Sequence, residues 1–237
     1  MKINRRELMV AVGSTAAAMG LGTFATCSPA AQLVARRRAL RIAFLTDIHL
    51  QPEGRAVEGF TACLRHAQSR QPKPDLIFCG GDAIMDCFGT DQARTQLQWE
   101  LWKKILAAEC SLSVESCIGN HDIWGGNRKR SRTTGEEPLY GRKWAMDVFG
   151  IAAPYRSFDR AGWHFIFLDS TLISGDGQGD AARLNFGYLG QLDAEQFAWL
   201  EADLQKVPHE TPVCVVSHIP IVSVAAFFTG ATGKEEL

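Results

Sequence analysis

Residues 41–49 read RIAFLTDIH: a short, mostly apolar run that ends in Thr46, Asp47, Ile48 and His49. An apolar stretch of that length with β-branched and aromatic residues predicts a buried strand, here with an acid and an imidazole just past its end. The arrangement recurs three times. Residues 75–79 (DLIFC) lead into Gly80, Gly81 and Asp82. Residues 114–118 (VESCI) lead into Gly119, Asn120, His121 and Asp122, and residues 212–217 (PVCVVS) end at His218. Helical patterns lie between the first three. Residues 57–70 bring Val57, Phe60, Cys63, Leu64 and Ala67 to helical spacing, and residues 91–108 bring Leu97, Leu101, Ile105 and Leu106 to one side. Strands alternating with crossover helices predict an α/β fold built on a largely parallel sheet. In such a sheet, residues just beyond the carboxyl ends of the strands converge on one crevice, where ligands bind.

That crevice would collect the carboxylates of Asp47 and Asp82, the carboxamide of Asn120 and the imidazoles of His49, His121 and His218. Oxygen and nitrogen donors of this kind suit divalent manganese, zinc, iron or nickel. Taken singly, each residue has an ordinary explanation. A lone Asp after a strand caps a turn, a lone His is a hydrogen-bonded core or surface group, and Asn120 or a Gly pair marks a turn. Their occurrence together at four strand ends is the informative observation.

The ordered blocks D-x-H (Asp47, His49), G-D (Gly81, Asp82), G-N-H-D (Gly119, Asn120, His121, Asp122) and a later His (His218) resemble those of the calcineurin-like metallophosphoesterases, over roughly residues 41–220. The resemblance implies a four-layer sandwich of two mixed β-sheets flanked by helices. It implies two divalent metal ions and metal-dependent hydrolysis of a small phosphate mono- or diester by a metal-bridging hydroxide, a chemistry that paired cations support. Under it Asp47 and His49 bind the first cation, Asn120 and His218 the second, and Asp82 bridges both. His121 faces the scissile phosphate as general acid or stabiliser, with Asp122 orienting its ring. The family's final G-H-x-H block has no counterpart, since no histidine follows His218. Each cation is therefore expected to keep three ligands from this chain. The C-terminal side is expected to be an incomplete piece of a longer enzyme, with an exposed strand edge and impaired activity. The alternative is a non-catalytic exported binding module on the same scaffold, distinguished by failure to bind manganese or zinc.

Around these blocks, residues 123–141 form a loop rich in Gly, Arg and Thr. Arg128 and Arg130 are candidates to steer an anionic substrate, against the plainer reading of a solvated loop. Trp124 and Tyr140 flank it and are candidates to stack on a base or sugar. Asp86 is read as a ligand hydrogen-bonder or a turn residue, and His66, His164 and His209 as structural. Residues 142–149 read as a short helix, residues 155–158 and 163–168 as a hairpin, and residues 175–190 as a second long loop. Asp193 and Gln196 form a capping-box pattern opening a helix whose apolar side is Phe197, Leu200 and Leu204.

The chain has 237 residues, 46% apolar and 22% charged, with a formal net charge of −1. This is a globular composition that excludes coiled coils and collagen-like repeats. Residues 1–38 carry six basic side chains against Glu7 alone, so the remainder is acidic on balance. An acidic domain argues against a nucleic-acid-binding surface. Residues 1–30 read as an export signal. The Arg5-Arg6 pair precedes an uncharged stretch diluted by Gly, Ser and Thr, which is too polar for a permanent membrane span. The expectation is export to the periplasm, with a lipid anchor at Cys27 as the minor alternative, a basic linker at 31–38 and the phosphoesterase domain at 39–237. None of the seven cysteines forms a C-x-x-C pair. Cys79 and Cys214 read as small core residues.

Overall fold

In the computed structural model, Leu76–Cys79 (β2) is buried at all four positions, and its side chains divide between two cores. Ile77 and Cys79 join a helix-covered cluster with Leu64, Trp99 and Trp102, while Leu76 and Phe78 join a second cluster with Phe165, Phe167 and Val216. Alternating side chains of one strand point to opposite faces, so β2 lies in a sheet covered on both sides. The structure describes residues 40–173 and 188–221. The expected export signal, most of the basic linker, Cys27 and all but the end of the second long loop lie outside the described residues.

The first sheet has the order β1-β2-β3, with β1 at Ile42–Leu45 and β3 at Val114–Ser116. Both pairings are parallel, with Ile42 opposite Leu76 and Ile77 opposite Val114. The crossovers are α1 (Ala56–Ser69) and α2 (Gln92–Glu109). Asp91 caps α2 by accepting from the Arg94 amide, and the stacked Phe60 and Trp102 rings, 5.0 Å apart, hold the two helices together. The buried face of α2 is Thr95, Gln98, Trp99, Trp102 and Ile105. Leu97, expected inside, is 47% exposed. The reason lies in Gln98, whose amide donates to the Asp86 carbonyl and accepts from the Asp86 amide, turning a polar position inward.

The second sheet has the order β4-β5-β8. Strands β4 (Arg156–Arg160) and β5 (Trp163–Phe167) form the expected hairpin. Ala161 and Gly162, at φ of 53° and 80°, make its two-residue turn, and positive φ at both positions is what a tight hairpin of the favoured twist needs. Strand β8 (Val213–Val216) adds in parallel to β5. Expected as a buried strand, β8 instead alternates. Val216 is buried against the second cluster, whereas Val213 and Val215 are 38% and 53% exposed on the other face. Helix α5 (Ala194–Leu204), capped by Asp193 as expected, precedes β8. Its Asp203 bonds Ser157 of β4 and His164 of β5, which places the helix on the outer face of the second sheet. Phe197 and Leu204, expected on its apolar side, are exposed, and Gln196 is the buried residue because its amide brackets Asp169.

The layers are thus helices, first sheet, second sheet and helix, joined at the centre by Phe78 set edge-on against Phe165 and Phe167 at 5.3 and 5.0 Å. A small hairpin of β6 (Thr171–Ile173) and β7 (Tyr188–Gly190) completes the strands. The loop after β3 contains a single helical turn, α3 (Arg128–Ser131), and α4 follows at Lys143–Phe149. Among the described residues no helix is long and apolar enough to cross a membrane.

Candidate metal centre

The ends of β1 and β2 stay paired beyond the regular strands. The amides of Asp47, His49 and Leu50 donate to the carbonyls of Gly81, Asp82 and Ala83 at 3.1, 3.0 and 3.1 Å. Asp47, His49 and Asp82 do this with φ of 53°, 48° and 52°. Left-handed backbone at non-glycine residues is uncommon and costs about 1–2 kcal/mol each. Three such residues side by side mean that the surrounding ladder fixes the positions of their side chains.

Asp82 is the hub. Its carboxylate accepts from the His121 amide at 2.9 Å, lies 3.2 Å from His218 Nε2 and lies 3.6 Å from His49 Nε2. His218 is held from its other side, where Nδ1 donates to the Gly80 carbonyl at 2.9 Å, so that Nε2 also meets Asn120 Oδ1 at 3.2 Å. Two glycines permit this closeness. At Gly81, with φ of 97°, a Cβ would sit 2.7 Å from His218 Nδ1, and at Gly119 it would collide with the Asp82 carboxylate. The G-D and G-N-H-D blocks therefore need glycine for space.

The donors fall into two overlapping groups, His49 with Asp82 and His121, and Asp47 with Asp82 and His218. Asp82 is common to both, while Asp47 and His49, expected on one cation, fall in different groups, and His121 joins His49. Asn120 stands beside the second through its contact with His218. His49 turns Nε2 toward the carboxylates of Asp82 and Asp47, at 3.6 and 3.9 Å, and its buried Nδ1 has no hydrogen-bond partner among the described residues. Carboxylates, imidazoles and a carboxamide around one shared carboxylate suit divalent cations in their donor chemistry.

Burial by itself would raise the Asp82 carboxyl, but the hydrogen bond and charge of His218 outweigh it and hold the group below its ordinary value. Conversely, burial would lower His218, but Asp82 pushes it up to about 9. The carboxylates of Asp82 and Asp47 thus favour positive charge at this place, which a bound cation would also supply.

Asp122 stands elsewhere than expected. Its carboxylate is fully buried and accepts from the amides of Ala83 (2.9 Å), Ile84 (3.4 Å) and Gly119 (2.9 Å). It clamps the loop after β2 to the loop after β3 and does not orient the His121 ring. Burial, with the nearby Asp82 charge, pushes it up to about 7. The His121 ring is set instead by the Met85 carbonyl, 2.5 Å from Nδ1, with Asp86 Oδ1 at 4.0 Å. Main-chain partners leave no trace in residue identity, so the Met85 contact had no sequence signal, whereas Asp86 was visible as an acid four residues after Asp82.

Trp124 is not available to a ligand. It is buried, donates to the Thr90 carbonyl and packs edge-on against Trp144. Tyr140 lies under Arg128, whose Nε donates to its hydroxyl at 2.9 Å. The Arg130 guanidinium lies against Gly89, in the turn that Asp86 closes by accepting from the Gly89 amide. His164 is buried in β5 between Asp159 and Asp203, away from this cluster, in the structural part expected of it.

Over 195 residues the chain is 26% identical to a 3′,5′-cyclic-nucleotide phosphodiesterase of Nostoc sp., an alignment covering 78% of this chain and 58% of that protein. The chain therefore spans well under two thirds of the length of that curated relative. The family model for calcineurin-like phosphoesterases matches residues 40–235, from two residues before β1 through β8 and beyond. With the D-x-H, G-D and G-N-H-D residues gathered around one carboxylate at the sheet edge, the chain belongs to the calcineurin-like phosphoesterase family.

Proposed function

We propose that this protein hydrolyses phosphate mono- or diesters at the cluster around Asp82. The observation that carries the reading is the sharing of Asp82 by two donor groups drawn from four strand ends. Two divalent cations (Mn, Zn, Fe or Ni) bound there would supply Lewis acidity toward a phosphoryl oxygen and acidify a water for attack. Asp47 and His49 would hold one of them, Asn120 and His218 the other, with Asp82 common to both, so that loading would draw Asp47 from the His218 side of Asp82 to join His49. His121 donates through Nδ1 to the Met85 carbonyl, which leaves Nε2 as the ring atom able to hand a proton to the leaving oxygen. Asp86, 4.0 Å from Nδ1, stabilises the ring when it carries that proton. Asp122 acts by keeping the loops after β2 and β3 in register. Arg130, which lies against Gly89, and Arg128, which donates to Tyr140, would be the cations of the loop after β3 that draw in an anionic ester.

The relative named for 3′,5′-cyclic nucleotides makes cyclic diesters the first substrates to try beside aryl phosphates. The test is turnover of p-nitrophenyl phosphate, its bis-aryl diester and a 3′,5′-cyclic nucleotide by metal-stripped protein reloaded with Mn or Zn. Activity should return with metal, and His121→Ala should lower kcat by about 10²–10⁴ while bound metal is unchanged. Unchanged turnover in that variant removes the proton-donor role. A metal-loaded protein that turns over none of these esters removes the hydrolase reading in favour of a binding module. We also place the domain outside the cytoplasm, on the Arg5-Arg6 signal alone, and fractionation of expressing cells tests that reading.

A further inference from the structure

A second hollow opens where the first turn of α5 meets the chain leading into β4. It measures about 490 Å³, within the range of small-molecule sites. None of the seven site residues around Asp82 lines it. Its aromatic side is Tyr155 and Trp199, which both line it and pack against each other with ring centroids 4.9 Å apart, tilted by 51°. The charged side is Asp169, Asp193 and Glu195 with Arg142. Arg142 is already committed, since its guanidinium binds the buried Asp169 carboxylate and the Thr171 carbonyl. The carboxylates of Asp193 and Glu195 are left without a cation among the described residues. One oxygen of Asp193 caps α5 on the Gln196 amide, and Glu195 is exposed at the mouth.

We infer that this hollow is a binding site for a small organic ammonium ion, seated against Tyr155 and Trp199 and neutralised by Asp193 and Glu195. Aromatic faces attract a weakly hydrated cation through their quadrupole, and carboxylates that meet no cation among the described residues favour it over a neutral or anionic ligand of the same shape. The Tyr155 phenol is held above its ordinary value by burial first and then by the charges of Glu195 and Asp193, so both carboxylates act on the same space. The site is independent of phosphoester chemistry.

Calorimetric titration of the full chain with choline tests it, with dimethylbutanol, which carries carbon in place of the quaternary nitrogen, as the uncharged control. Choline should bind saturably with a Kd on the order of 1 mM, and dimethylbutanol about tenfold more weakly. Glu195→Gln, at an exposed position, should weaken choline about tenfold with the circular dichroism spectrum unchanged. Trp199→Leu should do the same, and Trp199→Phe, which keeps an aromatic face, should restore most of the affinity. Absence of saturable heat at about 10 mM choline, tenfold above that Kd, overturns the assignment. So does equal affinity for the two probes, or unaltered choline binding in Glu195→Gln.

Discussion

Gly81 concentrates at one residue what the cluster demands of the backbone. Its φ of 97° lies outside the range of L side chains, and the space a Cβ would need is taken by His218 Nδ1 and the Gly119 Cα at 2.7 and 2.9 Å. Gly162 in the β4–β5 turn also has positive φ, at 80°, but faces open space. The pair separates strain from collision. Gly162→Ala should cost about 1–2 kcal/mol of unfolding free energy, the price of left-handed backbone, with metal uptake intact. Gly81→Ala should cost more and also displace His218, so metal titration should show weakened binding. Equal stability losses with equal metal uptake would show that the Gly81 contact is not limiting. Residue identity made much of this legible: the glycines, acids and histidines stand at the strand ends where the sequence pattern puts them. The part of Asp122 was not legible. Two of its three donors, the Ala83 and Ile84 amides, come from a loop 39 and 38 residues earlier, and an acid beside a histidine gives no sign of which way it faces.

Among the elements, α5 shows how polar anchors decide packing. His164 on β5 bonds Asp159 of β4 through Nδ1 at 2.7 Å and Asp203 of α5 through Nε2 at 2.9 Å, while Ser157 of β4 donates to the other Asp203 oxygen at 2.8 Å. These contacts, with Gln196 bracketing Asp169, seat the helix and leave Phe197 and Leu204 outside. A reading of apolar spacing alone had no access to that outcome, since it weighs leucine above glutamine. Burial would lower the His164 pKa, but its two carboxylate partners outweigh it and raise it above 6.5. A group raised in the folded state stabilises fully below its unfolded pKa, and that stabilisation disappears as pH rises through the folded value. The gap in urea midpoint between the parent protein and His164→Gln should therefore be widest near pH 6 and narrow toward alkaline pH. Its slope should not exceed about 1.4 kcal/mol per pH unit. Parallel profiles would mean that the latch acts through neutral hydrogen bonds. The parallel β1–β2–β3 pairing and the β4–β5 hairpin, by contrast, follow what the sequence leads one to expect, because short apolar runs separated by helices have few ways to assemble, whereas β7 lies in residues read as loop.

For the whole molecule, the two sheets meet at Phe78, and the donor cluster around Asp82 lies at the ends of strands from both of them, with His218 following β8 and the other donors following β1, β2 and β3. Residues 76–79 are apolar throughout, so periodicity could not say which side chains face the helices and which the second sheet; the layered arrangement came from the family resemblance. Since donors from both sheets meet on Asp82, a bound cation should stabilise the domain globally rather than tighten a single loop. A ligand at 100 times its Kd adds about 2.7 kcal/mol if it binds only the folded state. For a domain of about 200 residues, 1 kcal/mol corresponds to about 2–4 °C in Tm. Excess manganese or zinc should thus raise Tm of the metal-stripped protein by about 5–10 °C, and a chelator should reverse the rise. Asp82→Asn should abolish most of the shift, since it removes the one carboxylate that both donor groups share. Asp47→Asn should remove only part, because Asp47 belongs to one group and is exposed. If Asp47→Asn abolishes the shift as completely as Asp82→Asn, the two sites do not load separately. If neither variant alters it, the cation binds elsewhere on the chain and the cluster around Asp82 is not the metal centre.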